Sequence, residues 1–265
     1  MTRAERRRAA TAANAKGRPV ADVPSLLKRL RVAKLPGTPP ALADRARKAL
    51  GAYVESASAQ GMPFAPLLAR LADGQAAVTL GAVEAREAAA RGADPSNGAA
   101  CASGCAFCCI LNGEDGGTIT GSEAVRLHGA LAPLAGAPDG RSWHRRGCPA
   151  LDPETRMCRV YEARPTICRS FHSSDAAACE ANAAGEPVPG ARLAGAHLTY
   201  LAAHGLARAT LAGRARVDTY ALFDVACGAV EGRSLEDTLA AARHPPAALD
   251  AERRRTGRAL ERRTG

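Results

Sequence analysis

The residues best suited to chemistry in this sequence are its nine cysteines, eight of which lie between positions 101 and 179. The first block, CASGCAFCC, contains Cys101, Cys105, Cys108 and Cys109. The second block contains Cys148, Cys158 and Cys168, spaced ten residues apart, and Cys179 follows it. Thiolates bind soft and borderline metals, and a C-x-x-C step brings two sulfurs within reach of one centre. The two blocks therefore predict a metal site held by cysteines.

The choice between zinc and iron stays open at this point. Four thiolates complete either a Zn(Cys)4 site or an iron–sulfur cluster. Zinc ribbons usually supply two C-x-x-C pairs, whereas this chain has one, Cys105–Cys108, which favours an iron–sulfur cluster. Cys227 lies in the apolar stretch ALFDVACGAV and is predicted to be a core residue, while the role of Cys179 is left open. The predicted metal ligands are Cys101, Cys105, Cys108, Cys109, Cys148, Cys158 and Cys168.

The same two blocks resemble a known family. CASGCAFCC, followed by GCPALDPETRMCRVYEARPTICRSF, is similar to the cysteine-cluster (YkgJ-like) proteins, whose signature is CxxCxxCC and then a C…GxCxIYxxRPxxCR block. The second block matches through Cys158, Tyr161, Arg164, Pro165, Cys168 and Arg169. The first spacing departs from the signature, because Cys101 and Cys105 are separated by three residues instead of two. The resemblance covers roughly residues 99–180 and implies a zinc- or iron-chelating domain.

Arginines crowd the second block, where Arg141, Arg145, Arg146, Arg156, Arg159, Arg164 and Arg169 are found. A four-thiolate site carries net negative charge, which nearby guanidinium groups neutralise while donating hydrogen bonds to sulfur. We expect this role for Arg164 and Arg169, because both lie in the part of the block that matches the family.

Two alternative functions fit parts of the pattern. Cys101, Cys105 and Cys108, with Phe107, also satisfy the CxxxCxΦC pattern of radical S-adenosylmethionine enzymes. That loop should follow the first strand of a parallel barrel, whereas ADPSNGAA precedes it here and no recurrent buried strands follow. The other alternative is a purely structural zinc module that mediates a protein interaction. Whether the chain is an enzyme is left open, because no substrate pocket can be identified.

The elements that hold the cysteines are predicted to be helices. Apolar residues recur at helical spacing over 41–56, 66–91, 192–213, 217–230 and 234–243, and a short helix is expected over 25–32. Thr120 and Glu123 form a capping box for a helix that ends near Leu131. No run of alternating β-branched residues indicates a strand. The predicted fold is mainly α, with helices flanking a compact, loop-rich cysteine module.

The predicted organisation has five parts. These are a basic, largely disordered arm (1–40), a helical region (41–98), the cysteine module (99–180), a helical region packing on it (190–245) and a basic tail (246–265). The net charge of +10 belongs mostly to the ends, since residues 1–18 carry six Lys or Arg against one Glu and residues 251–265 carry six Arg against two Glu. We therefore expect nucleic acid to be contacted at most non-specifically, by the basic tails.

The compartment follows from what the sequence does not contain. No apolar stretch approaches the roughly 18 to 20 residues of a membrane span, and no apolar segment follows the basic N-terminus as in a secretory signal. We therefore expect a cytoplasmic protein without a membrane partner. In a reducing cytoplasm, clustered cysteines favour metal binding over disulfides. A protein partner is left open.

Overall fold

A computed structural model describes residues 20–93, 97–111, 116–186, 188, 191–193 and 195–264. Within these residues the fold is mainly α-helical, which confirms the predicted fold class, and each strand has three residues. None of the described helices is both long and apolar enough to cross a membrane.

The elements are numbered here in chain order. The helices are α1 (Val23–Val32), α2 (Pro40–Ala59), α3 (Phe64–Ala72), α4 (Gln75–Ala90), α5 (Gly121–Leu131), α6 (Gly140–Trp143), α7 (Thr166–Arg169), α8 (Ala176–Ala183), α9 (Gly195–Leu211), α10 (Leu222–Val230), α11 (Leu235–Ala242) and α12 (Ala248–Thr264). The strands are β1 (Thr118–Thr120), β2 (Phe171–Ser173), β3 (Ala191–Leu193) and β4 (Thr219–Ala221). Short 3-10 turns cover Phe107–Cys109, Ala132–Leu134 and Tyr161–Ala163.

The first hydrophobic core is organised around α9. It gathers buried side chains from α1 to α4, α9 and α12. Helix α9 is buried around most of its circumference, with Leu201, Leu206 and Leu211 at most 1 % exposed. A helix that is apolar on all sides belongs in an interior, so the other helices of this core surround it.

The second hydrophobic core lies beneath the cysteine module. Its buried members include Ile119 of β1, Leu127 and Leu131 of α5, and Val225 and Val230 of α10. Helices α10 and α11 thus pack on the module, whereas α9 belongs to the first core. The helices that follow the cysteine module therefore contribute buried residues to both cores.

Two small antiparallel sheets connect distant parts of the chain. Strand β1 pairs with β4 in the register Ile119↔Tyr220, and β2 pairs with β3 in the register Phe171↔Leu193. The predicted helix over 217–230 begins only at Leu222, because residues 219–221 form β4. Strands of three residues are too short to produce a detectable alternation of apolar and polar residues.

The single helix predicted over 66–91 is wrong, since Asp73 and Gly74 separate α3 from α4. Gly74 has a φ of +86°, a left-handed conformation that favours glycine. The N-terminus of α5 docks at this break, where the backbone N–H of Ser122 donates to the Asp73 carbonyl oxygen at 2.8 Å. A Cβ atom on Gly74 would overlap the side chain of Thr120. The break between α3 and α4 is therefore the place where α5, which belongs to the second core, contacts the helices of the first core.

Both ends of the described chain contain helices, and the short helix predicted over 25–32 is confirmed by α1. Residues 1–19 lie outside the described residues, whereas Val20, Leu26 and Leu30 are buried in the first core. The amphipathic spacing of α1 explains this, because its apolar face packs on α2 and α9. Residues 248–264 of the predicted tail form α12, and Leu249 is fully buried.

Candidate metal centre

Backbone contacts join the two cysteine blocks directly. The Cys148 N–H donates to the Cys109 carbonyl oxygen at 2.8 Å, and the Leu111 N–H donates to the Arg146 carbonyl oxygen at 2.9 Å. Between these bonds, Ile110 and Gly147 form an isolated antiparallel bridge. The end of the first block is thus paired with the start of the second.

A tight loop returns Cys158 to the neighbourhood of Cys148. Leu151 and Cys158 form an antiparallel bridge, and the Leu151 N–H donates to the Cys148 carbonyl oxygen at 3.0 Å. The carboxylate of Asp152 closes the loop by accepting from the N–H and the hydroxyl of Thr155, both at 2.8 Å. The spacing of ten residues therefore reflects one short hairpin-like turn.

A buried carboxylate fixes the segment that carries Cys168. Helix α7 follows Pro165, and its first N–H, that of Thr166, donates to Glu123 Oε1 at 2.6 Å. Glu123 Oε2 accepts from the Thr120 N–H at 3.0 Å and from the Tyr200 hydroxyl at 2.6 Å. Glu123 therefore confirms the predicted capping box and also ties α5 to α7 and α9.

Four cysteines pack against the second hydrophobic core, and we call them the inner cysteines: Cys109, Cys148, Cys158 and Cys168. Burial raises the pKa of Cys148 to about 12. Burial also raises the pKa of Cys168, and the neighbouring thiols of Cys148 and Cys158 raise it further. The inner cysteines thus come from both blocks and share one apolar surrounding.

The other four cysteines of this region do not belong to that core, and we call them the outer cysteines: Cys101, Cys105, Cys108 and Cys179. Two of them, Cys101 and Cys108, are exposed, whereas none of the inner cysteines is. Strand β2 lies beside Cys101, because the Ser173 carbonyl oxygen accepts from the Cys101 thiol at 3.9 Å. Helix α8, which carries Cys179, packs on the 3-10 turn Phe107–Cys109. The pKa of Cys179 is raised chiefly by burial and further by the thiols of Cys108, Cys101 and Cys105. The other three outer thiols are therefore within electrostatic reach of Cys179.

A family model matches this part of the chain. Residues 100–186 match the CxxCxxCC family, whose description is "Putative zinc- or iron-chelating domain". We refer to these residues as the CxxCxxCC domain, after the family model that they match. The match confirms the resemblance seen in the sequence and extends it through α8. Comparison with curated proteins and with solved structures gave no significant match.

The adjacent residues Cys108 and Cys109 form a hydrogen-bonded thiol pair within the CxxCxxCC domain. The Cys109 thiol donates to Cys108, which lowers the pKa of Cys108 to about 7. The same bond, together with burial, raises the pKa of Cys109 well above its usual value. A thiolate is the form that binds metals, so Cys108 is the cysteine best prepared for an incoming ion.

The two arginines singled out in the sequence have different roles. Arg164 lies over the Tyr161 ring, with its guanidinium carbon 3.5 Å from the ring centroid. The charge of Arg164 lowers the pKa values of three thiols, against the opposing effect of burial: those of Cys108, Cys158 and Cys168. Arg169 instead donates to the carbonyl oxygens of Arg164 and Glu162, at 3.0 and 2.7 Å. Arg164 therefore supplies charge near the thiols. Arg169 braces the loop that holds Arg164, and its charge also lowers the pKa of Cys158.

The donor set of the CxxCxxCC domain fits a thiophilic metal. Each group supplies four thiols, which is the number that completes a tetrahedral zinc site or an iron–sulfur cluster. Among the described residues, no three His, Cys, Asp or Glu side chains stand close enough to hold one ion as placed. The seven predicted ligands divide between the two groups, and their assignment as ligands stays a prediction. Cys227 lies in α10, where burial raises its pKa to about 11, in keeping with a core residue.

Proposed function

We propose that the CxxCxxCC domain binds an iron–sulfur cluster through cysteine thiolates and has a redox or accessory role. The observation that supports this most is the junction of the two blocks, where Cys148 donates its N–H to the Cys109 carbonyl oxygen at 2.8 Å. Cys158 and Cys168 pack against the same apolar core as this pair. Burial and hydrogen bonding around cysteine sulfurs are the factors that set the potential of such clusters.

The predicted ligands would hold the cluster by their thiolates, and an iron–sulfur cluster supplies reversible electron transfer when bound. The residues around the thiols have defined tasks. Arg164 offsets their negative charge, and Glu123 fixes the segment from which Cys168 extends. Thiolate ligation requires reduced cysteines, so the proposal includes a reducing compartment, the cytoplasm.

Zinc is the second candidate, because four cysteine thiolates also complete a tetrahedral zinc site. A cysteine whose pKa is about 7 presents a thiolate near neutral pH, as zinc sites require. A purely structural zinc module would be redox-silent and would stabilise the fold. The radical S-adenosylmethionine alternative finds less support, because the strands of the described residues pair antiparallel and form no barrel.

The first test is anaerobic purification from the native host, followed by iron, zinc and acid-labile sulfide analysis alongside the ultraviolet–visible spectrum. A brown protein that contains iron and sulfide is the expected result. A colourless protein with stoichiometric zinc would replace the cluster by a structural zinc site. A protein with neither metal would contradict the proposal. The Cys227→Ala variant is the matched control, and we expect its metal content to equal that of the unmodified chain.

A further inference from the structure

The eight cysteines of the domain fall into two groups, and this grouping bears on the number of metal centres. The inference rests on the proposed metal binding by the domain. The inner cysteines pack against the second hydrophobic core, whereas the outer cysteines do not belong to that core. The two groups have equal numbers of thiols, four each. Four thiolates complete the coordination of a zinc ion, and an iron–sulfur cluster is also bound by four. Eight thiols therefore match two metal centres better than one.

The inner group is held together by main-chain bonds. Cys109 and Cys148 are joined by a backbone hydrogen bond, and Cys158 returns to Cys148 through the bridge with Leu151. Cys168 lies on α7, whose start is fixed by Glu123. Four separate chain segments thus present their thiols to one apolar region.

The outer group is organised by Ser173 and α8. The Ser173 carbonyl oxygen accepts from the Ala100 N–H at 2.8 Å and from the Cys101 thiol at 3.9 Å. Asp175 caps α8 by accepting from the Ala178 N–H at 3.0 Å, and Cys179 lies in the first turn of this helix. Helix α8 packs on the 3-10 turn of the first block. Cys179 therefore completes a set whose other members all come from the first block.

Cys108 lies at the border between the groups. Its thiol is an electrostatic neighbour of both Cys168 and Cys179. Cys108 is exposed and stands outside the apolar core, whereas its neighbour Cys109 packs against that core. Consecutive residues of the first block thus direct one thiol to each group.

We propose that the CxxCxxCC domain holds two four-thiolate metal centres. The inner centre uses Cys109, Cys148, Cys158 and Cys168, and the outer centre uses Cys101, Cys105, Cys108 and Cys179. Cys179, whose role the sequence left open, becomes a ligand of the outer centre. Because two of its cysteines, Cys101 and Cys108, are exposed and none of the inner cysteines is, the outer centre loses its metal to a chelator before the inner one does.

The test is an anaerobic titration of the full, reduced chain with Co2+, followed by thiolate-to-cobalt charge-transfer absorption. The unmodified chain is expected to bind two equivalents. Cys179→Ala and Cys105→Ala are each expected to reduce this to one, and Cys158→Ala is expected to leave the outer equivalent. Cys227→Ala, the control, retains two. Far-ultraviolet circular dichroism of the Cys179→Ala variant checks that its helices are intact, as expected for a substitution outside both cores.

The outcomes separate this proposal from the one on which it rests. One equivalent that is unchanged by Cys179→Ala would overturn the two-centre assignment and leave a single thiolate centre standing. Loss of both equivalents in a folded Cys179→Ala protein would also overturn it, because the thiols would then share one cluster. Absence of Co2+ binding in the unmodified chain would overturn the two-centre assignment, whereas the cluster proposal is decided by the iron and sulfide analysis above. If Cys158→Ala fails to fold, the Cys179→Ala result decides the question.

Discussion

At the scale of single residues, Glu123 connects the parts of the chain that hold the cysteines. Its carboxylate accepts from the N–H groups of Thr120 and Thr166 and from the hydroxyls of Thr120 and Tyr200. The side chain is buried, so each of these donors depends on it instead of on water. A residue that is recognisable as a helix cap thereby also positions the segment containing Cys168.

We predict that Glu123→Ala lowers the free energy of unfolding by about 3 kcal/mol, because it leaves several buried donors unsatisfied. Tyr200→Phe removes one of these bonds and should cost about 1 kcal/mol. Urea denaturation measures both effects. Glu154→Ala, at an exposed position of the same domain, is the control and should stay within about 0.5 kcal/mol of the unmodified chain. Equal losses for Glu123→Ala and Glu154→Ala would contradict the assigned role.

At the scale of elements, the break between α3 and α4 positions the CxxCxxCC domain on the helical core. Asp73 accepts the Ser122 N–H, and the left-handed Gly74 leaves room for Thr120. Strand β1 and helix α5 start from this contact, and their apolar residues form much of the second core. The cysteine groups thus depend on a glycine far from them in the sequence.

Gly74→Ala and Gly61→Ala form a matched pair that tests this dependence. Both glycines have positive φ, +86° and +80°, so each substitution costs about 1 kcal/mol of backbone strain. Nothing lies within 4 Å of a Cβ on Gly61, whereas a Cβ on Gly74 meets Thr120, which should add about 1 to 3 kcal/mol. Urea unfolding, followed by the fluorescence of Trp143, the single tryptophan, measures the difference. Equal destabilisation by the two substitutions would show that the Thr120 contact is unimportant.

The same elements show which features a sequence can predict. The capping box of α5 is confirmed because Thr120 and Glu123 are three residues apart, and the cap depends on that local spacing. The bond from Tyr200 to Glu123 spans 77 positions, and local periodicity contains no signal for it. The same applies to β4 and to the packing of α8 on the first cysteine block. The cysteine blocks could be predicted, whereas which of the cysteines pack against the second core could not.

At the scale of the whole molecule, α9 lies in the centre of the first core and carries two buried histidines. Neither ring nitrogen of His197 has a hydrogen-bond partner, and the ring stacks on Tyr200 with centroids 5.6 Å apart. His204 Nε2 lies 3.2 Å from the Asp218 carbonyl oxygen. Burial lowers the pKa of each histidine to about 4, against the opposing effect of Glu123 on both. Arg255 adds to the lowering at His197, and Arg208 adds to it at His204.

Because of these two histidines, we predict that the free energy of unfolding decreases in mild acid. Each has a pKa of about 4 when folded and about 6.5 when unfolded, so the unfolded chain binds more protons between these values. The contribution of the neutral histidines to the free energy of unfolding is therefore fully present above about pH 6.5. It falls as the pH decreases toward about 4, by about 3 kcal/mol for each histidine. His197→Phe keeps the ring but cannot be protonated, and it should reduce this loss by about half. Urea unfolding at several pH values measures this slope for the unmodified chain and for His197→Phe. An unaltered slope in His197→Phe would mean that other groups cause the acid sensitivity.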